Sequence, residues 1–353
     1  MEKVQDSIQM DLFKYFLETE QFTVKEATEL VKTVKNKDVN NESIRARIYE
    51  GVDKGIFTKI SRGVYKVTKQ LENGKTTSCL LINGDGRDLS KIKDKSIDGI
   101  VTDHPYNLKK ALKGGNRNFA KYELFQYEEK DFKEKQRILK PGAFLVEFLP
   151  EESEINYEYL YKIKEMAKNV GLKYFAKVSW IKGNFVANTG RKAKNTEDVM
   201  IFSNGEPRSL RLDTKKNLAV AKDNNIDIKG KSSYEIRDLL LENDLPVYYM
   251  KGTSGMLPTE FNYQPKSKKE KLIEAEKPTE LLEEIIEYIS KPEEILLDQF
   301  AGSGNFVIAC YNKNRSSIVI EKDKEVFKKM KANIEENIGK NFLEIEDEEE
   351  DYL

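Results

Sequence analysis

Beyond Cys79, short apolar runs alternate with helical patterns, and this rhythm limits the possible folds more than any other feature of the sequence. Residues 96–103, 143–149, 174–181, 198–202, 294–298 and 317–321 read as strands. Residues 128–139, 157–170 and 279–290 read as helices. Short apolar strands separated by helices predict an α/β domain with a mostly parallel, doubly wound sheet. Residues 205–262 break the rhythm. They are polar, rich in Asn, Lys and Asp, and carry one expected helix near 234–242, which reads as an inserted recognition region. The acidic run 344–351 is expected to be solvated and disordered.

The first 70 residues read as a separate small unit. Apolar spacing predicts a helix over 8–19, a second starting at Thr23-Val24-Lys25-Glu26, and a third over 43–49 that carries Arg45 and Arg47. Residues 55–67 alternate around a turn, as in a β-hairpin. Three helices and a hairpin resemble a winged helix, with the third helix as reader and a wing at Ser61-Arg62-Gly63. The other reading is a protein-contact or dimerisation unit. The expected segments are a winged-helix-like domain over 1–70, a linker over 71–78, α/β segments over 79–204 and 263–340 that flank the polar region 205–262, and an acidic tail over 341–353.

Lys plus Arg number 60 and Asp plus Glu 61 among 353 residues, so net charge points to no partner, and any basic surface must be local. The two cysteines, Cys79 and Cys310, lie far apart without His or Cys at ligand spacing, which argues against a structural metal or a disulfide framework. No secretory core opens the chain, and no apolar run reaches the ~18 residues of a membrane span, so no membrane contact and a cytoplasmic location are expected.

Two constellations carry chemistry. In the first, the strand at 294–298 ends on an acid and enters a small-residue loop, Asp298-Gln299-Phe300-Ala301-Gly302-Ser303-Gly304, before a helix near Asn305. Gly302 and Gly304 permit positive φ and close approach to a ligand. In open α/β sheets, ligands bind at the carboxyl ends of such strands. Glu321 ends the next strand and can accept both hydroxyls of a ribose. Val307 stands where a dinucleotide fingerprint needs its third glycine, and no Gly-Lys-Ser/Thr follows. The expected cofactor is a nucleoside without pyrophosphate, which S-adenosylmethionine fits.

The second is Thr102-Asp103-His104-Pro105-Tyr106-Asn107, directly after a buried strand. Pro105 pushes His104 towards an extended conformation that can turn its carbonyl into the cleft. The Asp103 side chain and that carbonyl can accept both N–H bonds of an amino group, and Tyr106 can stack on a base taken out of the duplex. The lone pair of an exocyclic amine is delocalised into the ring, and accepting its hydrogens localises the pair as a methyl group arrives. Such a transfer needs positioning and charge stabilisation rather than a metal.

These residues resemble the β class of amino-group DNA methyltransferases. Asp103-His104-Pro105-Tyr106 resembles their Asp-Pro-Pro-Tyr motif, and Asp298 to Gly304 their Asp-Pro-Phe-Ala-Gly-Ser-Gly cofactor motif. Lys277-Pro278-Thr279-Glu280-Leu281 is similar to their Lys-Pro-x-x-Leu segment, and Asn83-Gly84-Asp85 to the Gly-Asp that begins the catalytic half. Trp180 with Lys182, and Gly190-Arg191 with Glu197, also fall where the family places similar residues. The resemblance spans roughly residues 79–337, and catalytic motif, recognition region and cofactor motif follow one another in the β-class order.

It implies a Rossmann-like S-adenosylmethionine-dependent methyltransferase fold. Asp103, His104, Pro105 and Tyr106 would form the catalytic turn. Asp85, Lys277, Thr279, Asp298, Phe300, Ala301, Gly302, Ser303, Gly304 and Glu321 would form the cofactor pocket. It also implies double-stranded DNA as substrate, a possible homodimer and no metal. The aspartate-led motif favours adenine N6 as target atom; cytosine N4 and a catalytically silent DNA-binding subunit are the alternatives. His104, Gln299 and Asn305 depart from the family's usual residues, and His104 is the chain's sole histidine. Basic residues expected to hold DNA are Lys109, Lys110, Lys113 and Arg117 in a Gly-Gly loop, Arg191, and Lys266.

Overall fold

The computed structural model describes residues 21–35, 39–53, 57–67, 79–90, 92–106, 124–183, 195–250, 257–267, 269–273, 275–339 and 342–346, together with residues 8, 12, 15 and 16. The four strands β4 (Cys79–Asn83), β5 (Ile97–Thr102), β10 (Ile295–Asp298) and β11 (Ser316–Glu321) are buried at every position. Strands buried on both faces carry near-continuous apolar runs and pair in parallel. They lie in a nine-stranded sheet of order β12-β4-β11-β10-β5-β6-β8-β7-β9. The other members are β6 (Leu139–Pro150), β7 (Leu172–Ile181), β8 (Thr196–Asn204), β9 (Glu260–Asn262) and β12 (Leu343–Glu346). Pairing is parallel from β12 through β6, antiparallel on both sides of β8, and parallel again between β7 and β9.

Alternate residues of each strand feed opposite layers. Leu80, Ile82, Leu297 and Ile320 join one core with Phe132 and Ile138 of α3 (Glu129–Ile138) and with Leu160 and Ile163 of α4 (Tyr157–Asn169). Cys79, Leu81, Leu296 and Val319 join the other. Its helices are α7 (Thr279–Ile289), α8 (Asn305–Asn312) and α9 (Lys324–Ile338). The expected mostly parallel, doubly wound sheet is therefore present. Its connectivity positions the site: β10 and β11, late in sequence, insert between β4 and β5.

The N-terminal unit contains β1 (Phe22–Thr23), α1 (Val24–Lys35), α2 (Asn41–Asp53) and the antiparallel hairpin β2 (Phe57–Ser61) with β3 (Val64–Val67). Thr23 and Glu26 cap α1 reciprocally: the Thr23 N–H donates to Glu26 Oε2 at 2.7 Å and the Glu26 N–H to Thr23 Oγ1 at 3.2 Å. β1 pairs with β3, and Phe16, Phe22, Phe57 and Tyr65 form the aromatic core between helices and sheet. The expected helix over 8–19 falls mostly outside the described residues; positions 8, 12, 15 and 16 are helical.

Two expectations are corrected. Residues 205–262 carry two helices rather than one, α5 (Thr214–Asp223) and α6 (Ser233–Glu242), packed around Ala221, Ile236 and Leu240. The acidic run does not begin as disordered chain, since residues 343–346 form β12 on the edge of β4. Backbone pairing to a sheet edge outweighs the poor strand composition there. Residues 347–353 lie outside the described residues.

Candidate active site

Four acids stand at the carboxyl ends of four consecutive strands: Asp85 just past β4, Glu321 on β11, Asp298 on β10 and Asp103 just past β5. Inserting β10 and β11 between β4 and β5 therefore brings the two constellations of the sequence side by side. Gly302 has φ 54° and Gly304 φ 80°, in the left-handed region where an L side chain is strained. Space is also closed. A Cβ on Gly302 would lie 2.5 Å from Ile273 Cδ1, and one on Gly304 2.8 Å from Met330 Cγ.

The loop is fastened at several points. Gly302 donates its N–H to Glu321 Oε2 at 3.0 Å and Ala301 to the Ile320 carbonyl at 2.9 Å. Phe300 donates to Asp298 Oδ1 at 3.0 Å, and Asn333 donates to the Ser303 carbonyl at 2.8 Å. Gln299 reaches across to donate to the Gly86 carbonyl at 2.7 Å. Asn305 donates to the Lys277 carbonyl at 2.8 Å and to Glu276 Oε1 at 2.9 Å. Asp85 pairs with Lys322, adjacent to Glu321, at 3.1 Å. Thr279 opens α7 two residues after Lys277.

Burial pushes the Asp298 carboxyl up to about 7, and it raises Glu321 as well. This donor set offers carboxylate acceptors beside a glycine turn. It suits hydroxyl groups and positive charge and would repel a pyrophosphate.

Asp103 is the hub of the second half of the site. Lys277 donates to Asp103 Oδ2 and lies 3.5 Å from Glu197 Oε2 on β8, and Lys182 donates to Glu197 Oε1. The lysine also lies 5.1 Å from the Phe148 ring and 5.8 Å from Trp180. Burial raises the Asp103 carboxyl, and Lys277 opposes that rise. Burial alone would raise Glu197, but Lys277 and Lys182 hold it low. Burial works against the Lys277 ammonium, yet Asp103 and Glu197 together raise it.

Lys277, expected in the cofactor pocket, thus contacts Asp103 directly, which sequence reasoning did not anticipate. The Pro105 carbonyl accepts the Phe125 N–H at 3.1 Å, and Tyr106 bridges to Phe125. Phe125 and half-buried Phe300 pack with centroids 5.6 Å apart, joining the two motifs through their aromatic rings.

Comparison with known proteins adds the family. The family model described as DNA methylase, for N6 and N4 enzymes, matches residues 97–332, two thirds of the chain. The chain belongs to the N6/N4 DNA methylase family. This methylase is 27% identical over 251 residues to the type II methyltransferase M.HpaI of Haemophilus parainfluenzae, covering 70% of this chain and 71% of that one. Among solved structures it is similar to M1.HpyAVI in complex with SAM (18% identity, TM-score 0.47, covering 72% of this chain and 98% of that one). It is also similar to the cytosine-N4-specific PvuII DNA methyltransferase (18% identity, TM-score 0.46, 73% and 86%).

Lys109, Lys110, Lys113, Arg117 and Arg191 of the methylase lie outside the described residues. Lys266 is described and pairs with Glu276 at 2.9 Å, next to Lys277. Sequence reasoning missed Glu147, which is wholly buried, 3.7 Å from His104 Nδ1 and paired with Lys135. The signal was available: a lone acid inside the apolar run Ala143-Phe144-Leu145-Val146-Glu147-Phe148-Leu149 demands a buried partner. Among the described residues no cluster suited to a metal occurs and no helix is long and apolar enough to cross a membrane.

Proposed function

We propose that this methylase moves a methyl group from S-adenosylmethionine to the exocyclic N6 of an adenine extruded from double-stranded DNA. The observation that carries the reading is the juxtaposition of Asp103 with the Asp298–Gly304 turn at the ends of paired strands β5 and β10. When bound, S-adenosylmethionine supplies an electrophilic methyl on a sulfonium that leaves readily. Gly302 and Gly304 give it a close backbone approach, Glu321 accepts ribose hydroxyls, and Asp298 faces a positive charge with a carboxylate.

Lys277 engages Asp103 Oδ2, which leaves Oδ1 to accept one N–H of the amine. The Pro105 carbonyl already accepts the Phe125 N–H, and the second acceptor proposed for the amine is the His104 carbonyl. Holding both hydrogens localises the nitrogen lone pair. The N–C bond would form as the C–S bond breaks, its electron pair staying with sulfur, and the proton lost from nitrogen would pass to the Asp103 carboxylate that accepts that N–H. Tyr106 stacks on the base. The aspartate at the head of the motif supports adenine over cytosine. We further infer a winged-helix-like N-terminal unit that contacts DNA, recognition through residues 205–262, and a cytoplasmic location.

The test is transfer of labelled methyl from S-adenosylmethionine to genomic DNA, with nucleoside mass spectrometry of the product. N6-methyladenine is expected. N4-methylcytosine would reassign the target atom. No incorporation and no cofactor binding by folded protein would leave a silent DNA-binding subunit. D103A should retain cofactor binding in calorimetry and lose on the order of 100-fold or more in kcat. Methylation by D103A at the wild-type rate would overturn the site.

A further inference from the structure

The turn that presents Asp103 is anchored from beneath by the chain's single histidine. His104 is 1% exposed, and its ring lies among three elements. Nε2 is 2.6 Å from the Tyr159 hydroxyl on α4, and Nδ1 faces Glu147 Oε2 on β6 at 3.7 Å. Glu147 is paired in turn with Lys135 of α3. The ring also packs on Tyr127, centroids 4.0 Å apart. The charged and titratable groups around it are thus Glu147, Lys135, Tyr159, Tyr127 and, on its own segment, Asp103 and Tyr106.

The proton arrangement follows from counting donors. The Tyr159 oxygen already accepts the Tyr127 backbone N–H at 3.1 Å. The Tyr159 oxygen has a second lone pair, so the direction is set at the other ring nitrogen: the Glu147 carboxylate 3.7 Å from Nδ1 can only accept, which puts the ring proton on Nδ1 and leaves Nε2 to accept from the Tyr159 hydroxyl. Both ring nitrogens point to the protein interior.

We propose that His104 is a positioning residue: a buried Tyr159–His104–Glu147 chain, with the proton on Nδ1, does for this catalytic turn what proline does in the family's usual motif, fixing the Asp103 carboxylate and the His104 carbonyl against the substrate amine. The role assigned to the turn rests on the methyltransferase reading. A proline would fix one dihedral and make no bond. The histidine ties the turn to α4 by a hydrogen bond and sets its other nitrogen towards the β6 carboxylate across 3.7 Å. Because a displacement of about 1 Å at a reacting centre can cost ~100-fold in rate, partial loosening should appear in kcat.

Two measurements test this. A single histidine gives one pair of imidazole nitrogen resonances, so NMR of the full ¹⁵N-labelled chain reports its tautomer unambiguously. The Nδ1–H tautomer is expected near neutral pH, and Y159F should shift the Nε2 resonance as its hydrogen bond is lost. An Nε2–H form or an imidazolium in the wild type would overturn the chain. In steady-state kinetics, Y159F and H104A should each lower kcat roughly tenfold with KM for S-adenosylmethionine unchanged. The double variant should be no worse than H104A.

H104Q, whose amide can reach the Tyr159 hydroxyl, should recover most of the loss and keep the wild-type pH profile. Wild-type kcat in Y159F would overturn positioning. So would an H104Q enzyme that loses the acid limb of its profile, which would make the histidine a proton acceptor. A wild-type chain that binds cofactor and transfers no methyl sinks the functional reading instead, and the tautomer then decides the anchor on its own.

Discussion

The three residues that depart from the family's usual motifs share a physical character. His104, Gln299 and Asn305 are each no more than 2% exposed, and each side chain is hydrogen-bonded to another segment. They are ties between motif loops and the surrounding frame. Their identities were legible in the sequence; their partners were not, because Tyr159, Gly86 and Lys277 are distant along the chain. Asp298 supports a prediction at the same scale. Burial moves its carboxyl from an ordinary 3.8 to about 7, so folding takes up a proton between those values. Its contribution to stability accordingly falls as pH rises through that window. A cationic ligand favours the ionised form, so S-adenosylmethionine should bind more tightly as pH rises towards and past 7, releasing a proton. Calorimetry in buffers of different ionisation enthalpy should show that release in the wild type and its loss in D298N. An identical heat in every buffer would refute the linkage.

Among the elements, the fully buried strands β5, β10 and β11 were the easiest to read, since short runs rich in Ile, Val and Leu fit the middle of a parallel sheet; β4, equally buried, was not singled out. α5 and β12 were hidden for opposite reasons. α5 buries little beyond Ala221 and Asn217, too small an apolar face to show as a period. β12 is acidic, and its pairing depends on the open edge of β4. The β6–α3 contact carries a stability prediction. Lys135 and Glu147 are wholly buried, and burial would raise the carboxylate were the ammonium not beside it. Removing one member of a buried pair leaves an uncompensated charge, at a cost of about 3 to 5 kcal/mol. K135M should lose stability of that size in denaturant unfolding of the full chain. The pair would have no such role if the loss stayed below about 1 kcal/mol.

For the whole molecule, the sheet order was not legible in the sequence. Periodicity distinguishes strands from helices and says nothing of β10 and β11 lying between β4 and β5. The N-terminal unit sits beside this frame, with Lys93 5.2 Å from the Tyr15 ring. Arg45 on α2 and Arg62 at the β2–β3 tip are both exposed. The chain is nearly neutral overall, so any long-range attraction to DNA must be local, and the N-terminal unit proposed to contact DNA exposes these two arginines. If the reader helix and wing contact phosphates, each arginine contributes about one unit to the salt dependence of binding. The full chain carrying R45E and R62E should bind duplex DNA more weakly, with the log–log salt slope reduced by roughly 2. Its affinity for S-adenosylmethionine, assigned by the proposed function to Asp298–Gly304 and Glu321, should not move. DNA affinity and slope equal to wild type would assign the N-terminal unit to protein contact instead.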